Sequence, residues 1–187
     1  MGGSPSIGSL FAQRVIIGVG EMAASNNVQV VLSTYALGSC VGVIAYDPIV
    51  KAAGILHLML PESSISPDKV QKQPAMFADT GLPAFMRTIM GLRGEKSRLC
   101  IFVAGGASVL GGNDPFRIGE RNLTATLKYF AKEGISVDSF ATGGSINRTL
   151  HFEVNTGTVT LKTPSENTRF VLSQSARAAL VAPSLAR

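Results

Sequence analysis

Two runs of apolar, strand-forming residues lie close together in the N-terminal half of the chain. The run at 40–46 reads CVGVIAY, the run at 52–60 reads AAGILHLML, and the residues DPIVK join them. Asp-Pro commonly begins a turn, whereas β-branched and aliphatic residues in short runs favour strands. The stretch therefore predicts a β-hairpin. Because a hairpin fixes which residues face each other, this feature restricts the fold more than any other part of the sequence.

The predicted hairpin brings one of the two cysteines towards one of the two histidines. We expect Tyr46 to face Lys51 or Ala52 across the turn. Cys40 then lies opposite His57 or the residue after it. Opposed or diagonal side chains on one face of a strand pair are roughly 5–8 Å apart. At that separation a histidine can take the proton of a cysteine thiol and give a thiolate–imidazolium pair.

The residues before Cys40 suit a nucleophile. Gly38 and Ser39 predict a tight turn, whose backbone N–H groups would face an oxyanion formed at the sulfur. Thr34 comes six residues before the cysteine and supplies a hydroxyl that could orient the histidine, as the third member of a triad does. A bland alternative stays open at this point. Free cysteines are usually buried and unreactive, so the cysteine and the histidine could simply be core residues.

A glycine-rich segment follows a buried strand and reads AGGASVLGGNDPFRIGERN at 104–122. It lacks both the G-K-[ST] ending of a phosphate-binding loop and the G-x-G-x-x-G spacing of a dinucleotide site. Paired glycines allow another backbone to approach closely. We therefore expect Gly105 and Gly106 to lie beside a substrate cleft or an oxyanion, together with Gly38 and Ser39, rather than to bind a nucleotide.

Composition restricts the class of protein. The chain has 187 residues, 45% of them hydrophobic and 16% charged, which is typical of a globular domain. Its net charge of +5 comes from scattered residues, so nothing indicates a nucleic-acid site. Two cysteines without a CxxC motif predict neither a zinc site nor a disulfide framework, and such usage fits the cytoplasm. No run reaches the ~18 apolar residues of a membrane span, so we expect no stable membrane insertion.

The order of the predicted elements indicates the fold class. Amphipathic helices are predicted at 74–94 and 119–133, and strand-like segments precede, separate and follow them. Pro83 lies within the first helical segment, so that helix should begin or bend there. A second hairpin is predicted at 148–163, with its turn at 155–157. Many strands with two helices set between them predict one α+β domain.

Two segments fall outside the predicted domain. Residues 1–12 are rich in Gly, Ser and Pro, as flexible leaders often are. After Pro164 the hydrophobic pattern fades into a Ser- and Ala-rich tail, 164–187, of uncertain order. We therefore expect a single domain over 13–163.

Several motifs together resemble the CheD family of bacterial chemoreceptor glutamine deamidases. In chain order these motifs are LGSCVGVIAYDP, GILHLMLP, FADTGLP, GGASVL and IGERN, and the resemblance runs from about residue 28 to residue 163. It implies that Cys40 is the nucleophile, that His57 is the base, and that Thr34 orients the histidine. It also implies a fold similar to the catalytic domain of the cytotoxic necrotizing toxins, with mixed β-sheets packed together and two main helices outside.

The resemblance further implies a reaction. Such enzymes hydrolyse the side-chain amide of glutamines on the cytoplasmic helices of methyl-accepting chemotaxis receptors, releasing ammonia by way of a thioester, and they need no cofactor or metal. Family members also bind a CheC-type phosphatase. Two alternatives remain. One is a non-catalytic protein that binds such a phosphatase or a receptor. The other is a cysteine hydrolase of another class, such as a methylesterase or a transglutaminase-like enzyme.

Overall fold

The computed structural model describes residues 13–108 and 115–174. Within these residues ten strands form two five-stranded sheets. The strands are β1 (Gln13–Ile17), β2 (Glu21–Ser25), β3 (Val30–Leu37), β4 (Val41–Asp47), β5 (Ala52–Leu58), β6 (Cys100–Gly105), β7 (Ser139–Thr142), β8 (Arg148–Glu153), β9 (Thr158–Lys162) and β10 (Asn167–Val171). The helices are α1 (Pro67–Val70), α2 (Ala78–Gly91) and α3 (Ile118–Lys132), with short 3₁₀ turns at Ser63–Ile65, Pro74–Met76 and Lys96–Arg98.

The two sheets pack face to face, and helices cover one of them. The first sheet has the strand order β1-β3-β8-β9-β10 and the second has the order β2-β5-β4-β6-β7. Both are mixed, because β1 runs parallel to β3 and β6 runs parallel to β7 while the other pairs are antiparallel. One apolar core fills the space between the sheets, and a second lies between the second sheet and helices α2 and α3. The predicted α+β class, with packed mixed sheets and helices outside, is confirmed.

Strands β4 and β5 form the predicted hairpin in the middle layer of the molecule. Every residue of both strands is buried, since one face meets the first sheet and the other meets the helices. This explains why both strands read as nearly continuous apolar runs instead of alternating apolar and polar residues. A histidine in such a strand is therefore buried whichever face it occupies.

The predicted register of this hairpin is wrong by one or two residues. Tyr46 pairs with Ala53, rather than with Lys51 or Ala52, and Asp47 is the last residue of β4 to pair. Asp47 stays in the strand because its carboxylate accepts the N–H groups of Ile49 and Val50 and so closes the turn. Lys51 completes the turn with a φ of 56°. Consequently neither His57 nor the residue after it lies directly opposite Cys40.

Both predicted helices are present. Helix α2 begins at Ala78, after the 3₁₀ turn Pro74–Met76, so Pro83 lies inside the helix and does not start it. Helix α3 matches its prediction within one residue at each end. Within the described residues, no helix is long and apolar enough to cross a membrane.

A final strand follows the predicted end of the domain at 163. β10 pairs with β9, and Leu172 just after it is only 1% exposed and belongs to the core between the sheets. We therefore propose that the domain extends through Leu172. The predicted leader, 1–12, and residues 175–187 of the predicted tail lie outside the described residues.

Candidate active site

The chain crosses from the first sheet to the second through a bulge and a tight turn. Pairing of β3 with β8 shifts between Thr34 and Leu37, and Ala36 adopts a left-handed φ of 57°. Because the bulge adds one residue, Thr34 and Leu37 are both fully buried. Gly38 then donates its N–H to the carbonyl of Ala36 at 2.9 Å, and the turn leads to Cys40, the residue just before β4. The bulge and the turn thus join Thr34 in the first sheet to Cys40, which leads into the central strand of the second sheet.

A hydrogen-bond chain holds the imidazole of His57 between the sheets. The hydroxyl of Thr34 donates to the carbonyl oxygen of Ile17 at 2.8 Å and lies 2.7 Å from Nδ1 of His57. A hydroxyl has a single proton, so the oxygen of Thr34 must accept a hydrogen bond from Nδ1–H. The proton of the neutral ring is therefore on Nδ1, and Nε2 carries the free lone pair. This is the tautomer that a general base acting through Nε2 requires.

Cys40 and His57 are diagonal neighbours on the face that meets the first sheet. His57 pairs directly with Gly42, two residues after the cysteine, and Cys40 packs against the core between the sheets. A Cβ atom at Gly42 would lie 2.7 Å from a methyl group of Leu37 and 3.2 Å from one of Leu150, so any side chain here would have to displace these leucines. No side chain therefore stands between the cysteine and the histidine on β4. Together with the bond from Thr34, this brings the three predicted catalytic residues to one place.

Burial favours the neutral forms of both Cys40 and His57 at pH 7. It raises the pKa of the Cys40 thiol, an effect that the residue's own backbone N–H partly offsets. Burial also lowers the pKa of His57 from its ordinary value of 6.5 to about 4, against a smaller opposing effect of the Glu21 carboxylate. In the described part of the chain, Nε2 of His57 is buried without a hydrogen-bond partner. These shifts favour the neutral thiol and the neutral imidazole, which are not hydrogen-bonded to each other, over a thiolate–imidazolium pair.

The two predicted loop glycines lie against the cysteine turn and hold it. Gly106 donates its N–H to the carbonyl of Cys40 at 2.8 Å, and Ala107 donates to the carbonyl of Gly38 at 2.8 Å. Gly105 has a φ of 99°, and a Cβ there would lie 2.2 Å from the oxygen of Cys40. Residues 109–114 of the predicted glycine-rich loop lie outside the described residues.

Some of the residues predicted to bind an oxyanion already use their backbone N–H groups in hydrogen bonds within the protein. Those of Gly38 and Gly106 already bond carbonyl groups. Within the described residues, no carbonyl accepts the N–H of Ser39 or Cys40. Among the described residues of the turn, these two N–H groups are therefore available to an acceptor from outside the turn.

One polar residue that the sequence analysis did not single out also touches the turn. Asn122 of α3 is fully buried and donates to the carbonyl oxygens of Ser39 at 3.0 Å and Met59 at 2.8 Å. The only signal for it in the sequence is an amide residue that shares the buried face of an amphipathic helix with Thr126 and Phe130. Such a residue requires hydrogen-bond partners, but its spacing along the chain does not identify them.

Comparison with known proteins places this arrangement in a family. Residues 59–163 match the family described as "CheD chemotactic sensory transduction". The chain is 44% identical over 148 residues to the probable chemoreceptor glutamine deamidase CheD 1 of Syntrophus aciditrophicus. That alignment covers 79% of this chain and 92% of the relative. The chain is 39% identical over 150 residues to the probable chemoreceptor glutamine deamidase CheD of Solibacter usitatus, covering 80% and 89%. It is 34% identical over 152 residues to the protein of that name from Pyrococcus abyssi, covering 80% and 91%. The chain therefore belongs to the CheD family.

Proposed function

We propose that this chain is a hydrolase that deamidates glutamine side chains of chemoreceptors. Its relatives are named chemoreceptor glutamine deamidases, and the alignment covers most of both chains. The observation that carries the proposal is the buried imidazole of His57, whose Nδ1–H is held by Thr34 at 2.7 Å and whose Nε2 is free beside Cys40. A thiol next to an oriented base is the arrangement that acyl transfer from an amide requires.

In the first half of the proposed reaction, His57 Nε2 takes the thiol proton of Cys40 while the sulfur attacks Cδ of the glutamine. The carbonyl oxygen becomes an oxyanion, which the N–H groups of Ser39 and Cys40 stabilise. The imidazolium then gives its proton to the leaving nitrogen, the C–N bond breaks, and ammonia departs from the thioester. Thr34 keeps the Nδ1 proton in place, so that the ring always presents Nε2 to the reacting atoms.

In the second half, water replaces ammonia. His57 takes a proton from water, and the hydroxide attacks the thioester carbon and forms a second oxyanion at the same donors. The C–S bond then breaks, and the sulfur of Cys40 regains its proton from the imidazolium. The glutamine has become glutamate, and the enzyme has returned to its starting protonation state without a redox partner.

The test compares the two cysteines of the chain. Wild-type protein, Cys40→Ala and Cys100→Ala are each incubated with receptor cytoplasmic fragments. Ammonia release is measured, and converted glutamines are located by mass spectrometry. We expect Cys40→Ala to lose all conversion while it still binds the fragments. Cys100 is a buried core residue on β6, so its variant should keep the activity at a modest cost in stability.

Each other outcome has a distinct meaning. Conversion by Cys40→Ala contradicts the mechanism. Receptor binding without any conversion by the wild type favours the non-catalytic alternative. Products that carry an added amine, or that have lost a methyl ester, indicate a cysteine hydrolase of another class.

The substrate and partner can be proposed more narrowly from the resemblance of the motifs. We expect the target glutamines to lie on the cytoplasmic helices of the receptors, which places the reaction in the cytoplasm. We also expect a CheC-type phosphatase to bind the chain. Co-purification of the two proteins in a one-to-one ratio would support this. If they do not associate, the phosphatase is removed from the proposal, and the proposed deamidase activity is unaffected. The similarity to the necrotizing-toxin domain stays a prediction.

A further inference from the structure

Helix α3 contacts the cysteine turn through one side chain. Asn122 lies on the buried face of the helix, and its amide nitrogen donates to Ser39 O at 3.0 Å and to Met59 O at 2.8 Å. Ser39 directly precedes the nucleophile, and Met59 is the second residue after His57. A single amide group thus links the segment that carries the nucleophile to the segment that carries the base.

The link lies where the strands of the hairpin separate. Val41 and Leu58 form the last pair of β4 and β5 at this end. Beyond them Met59 turns away and donates its N–H to the carbonyl of Met76. Beyond this last pair, Asn122 spans the two segments.

The bond to Ser39 also fixes the direction of the next N–H group. Carbonyl and N–H point in opposite directions across a trans peptide, and the described residues contain no cis peptide. With Ser39 O directed at α3, the N–H of Cys40 points away from the helix. Burial raises the pKa of the Cys40 thiol, and this N–H, which faces the cysteine's own sulfur, partly offsets that rise. The same N–H is thus directed towards the reacting atom.

The orientation of the Asn122 amide follows from its partners. Both contacts are carbonyl oxygens, so only the NH₂ group can face them. Oδ1 has no partner among the described residues although it is buried. A buried acceptor without a partner destabilises a fold, so Oδ1 does not explain why an asparagine is placed here. The two hydrogen bonds that its NH₂ group donates are the interactions that this side chain contributes.

We propose that Asn122 is a positioning residue for the deamidation: by holding the carbonyls of Ser39 and Met59, it aims the N–H of Cys40 at the oxyanion and fixes the distance between nucleophile and base. This inference rests on the proposed function for its catalytic consequence. Its structural consequence, the direction of the Cys40 N–H, does not depend on the substrate.

The test uses two variants and a matched control in the full chain. Asn122→Leu keeps the branched shape without any donor, and Asn122→Ser keeps polarity with a side chain too short to span both carbonyls. Thr126→Val is the control. Thr126 is equally buried one turn along the same helix, and its hydroxyl donates to the backbone carbonyl of Asn122 at 2.8 Å, without another partner among the described residues. For each protein, kcat and KM for receptor fragments and the iodoacetamide alkylation rate of Cys40 across pH are measured.

We expect both Asn122 variants to lose about 10²–10³-fold in kcat, the range for loss of one oxyanion donor, with KM little changed. Alkylation develops no oxyanion, so its limiting rate at high pH should match the wild type. The midpoint of the alkylation curve should move to higher pH, because the N–H no longer supports the thiolate. Thr126→Val should match the wild type in kcat, limiting rate and midpoint.

Three results overturn the inference: wild-type kcat in both Asn122 variants, a limiting alkylation rate that falls as far as kcat, or an equal loss in Thr126→Val. The second and third would mean that the helix only supports the fold. Failure of the proposed function is separable. If wild-type protein converts no glutamine while the alkylation midpoint still moves in the Asn122 variants alone, the deamidase proposal falls and the positioning of the Cys40 N–H stands.

Discussion

The protein contains the same pair of groups on both faces of one strand. Thr34 of β3 bonds Nδ1 of His57 at 2.7 Å between the sheets. Ser33, the residue before it, bonds Nδ1 of His151 at 2.9 Å on the opposite face of the first sheet. Successive side chains of a strand point to opposite faces, so adjacent hydroxyls meet two different histidines.

The surroundings of the two pairs differ. His57 is fully buried, and its pKa is lowered to about 4 by that burial. His151 is only partly buried and packs against the ring of Tyr35 edge to face at 5.6 Å. Both cysteines pack at the core between the sheets, so only His57 has a thiol on its own face. A hydroxyl bonded to an imidazole is therefore a poor sign of catalysis by itself, and the sheet face that it occupies decides what it can do.

The largest expected effect is the loss of activity when His57 is replaced, with His151 replaced as the comparison. His57→Gln should lower the deamidation kcat by about 10²–10⁴-fold, because glutamine cannot accept a proton from Cys40. His151→Gln should leave kcat near the wild-type value. Ammonia release by the two variants, with melting temperatures to verify folding, makes the comparison. Comparable losses in both would mean that the two pairs are functionally alike.

Replacing the hydroxyls should have a smaller effect. Thr34→Val keeps the shape of the side chain but frees the imidazole to carry its proton on Nε2, where it blocks the base. We expect kcat to fall about 10–100-fold, by analogy with the side chains that orient metal-binding histidines. The variant also removes the hydroxyl that bonds both Ile17 O and Nδ1 of His57, at a cost of about 1–3 kcal/mol for each group left without a partner. Ser33→Ala should keep kcat. An active Thr34→Val with unchanged kcat would remove Thr34 from the mechanism.

The hairpin could be predicted because its signals are local. The Asp-Pro turn and the apolar runs are adjacent in the sequence, and the structure confirms both strands. The register could not be counted correctly, because it depends on Asp47 remaining paired while its carboxylate closes the turn. An error of one or two residues changes which residue faces Cys40, so counting placed the histidine opposite the cysteine instead of diagonal to it.

Contacts between sheets and helices were beyond such counting. Thr34 and His57 lie in different sheets, so the sequence could suggest that the hydroxyl orients the histidine, but strand counting could not predict the 2.7 Å contact between them. Asn122 is 83 residues away from Ser39 in the chain, so no local pattern connects them. The protonation states were also inaccessible, since they follow from the burial of His57 and Cys40 in the middle of the molecule. Local strand and turn signals thus predict the secondary-structure elements. Packing between the layers determines the hydrogen bonds and protonation states of the candidate site.

The smallest expected effect is in the pH dependence, and it tests whether His57 works as a buried neutral base. Its pKa of about 4 means that half of the enzyme is protonated at Nε2 near pH 4 and inactive. We expect kcat/KM to stay flat from neutral pH to about pH 5 and to halve near pH 4. A histidine with the ordinary pKa of 6.5 would instead halve kcat/KM near pH 6.5.

The same pKa shift predicts how folding stability depends on pH. In the unfolded chain this histidine binds its proton below pH 6.5, while the folded protein takes it up only near pH 4. Folding stability should therefore fall by roughly 3 kcal/mol between these limits as the pH is lowered, and His57→Gln should remove that part of the slope. Denaturant titrations of the wild type, His57→Gln and His151→Gln between pH 7 and pH 4 measure the difference. An acid limb near pH 6.5 with no loss of slope in His57→Gln would mean that the imidazole is as well solvated as one on the protein surface, and the contrast between the two faces of β3 would not hold.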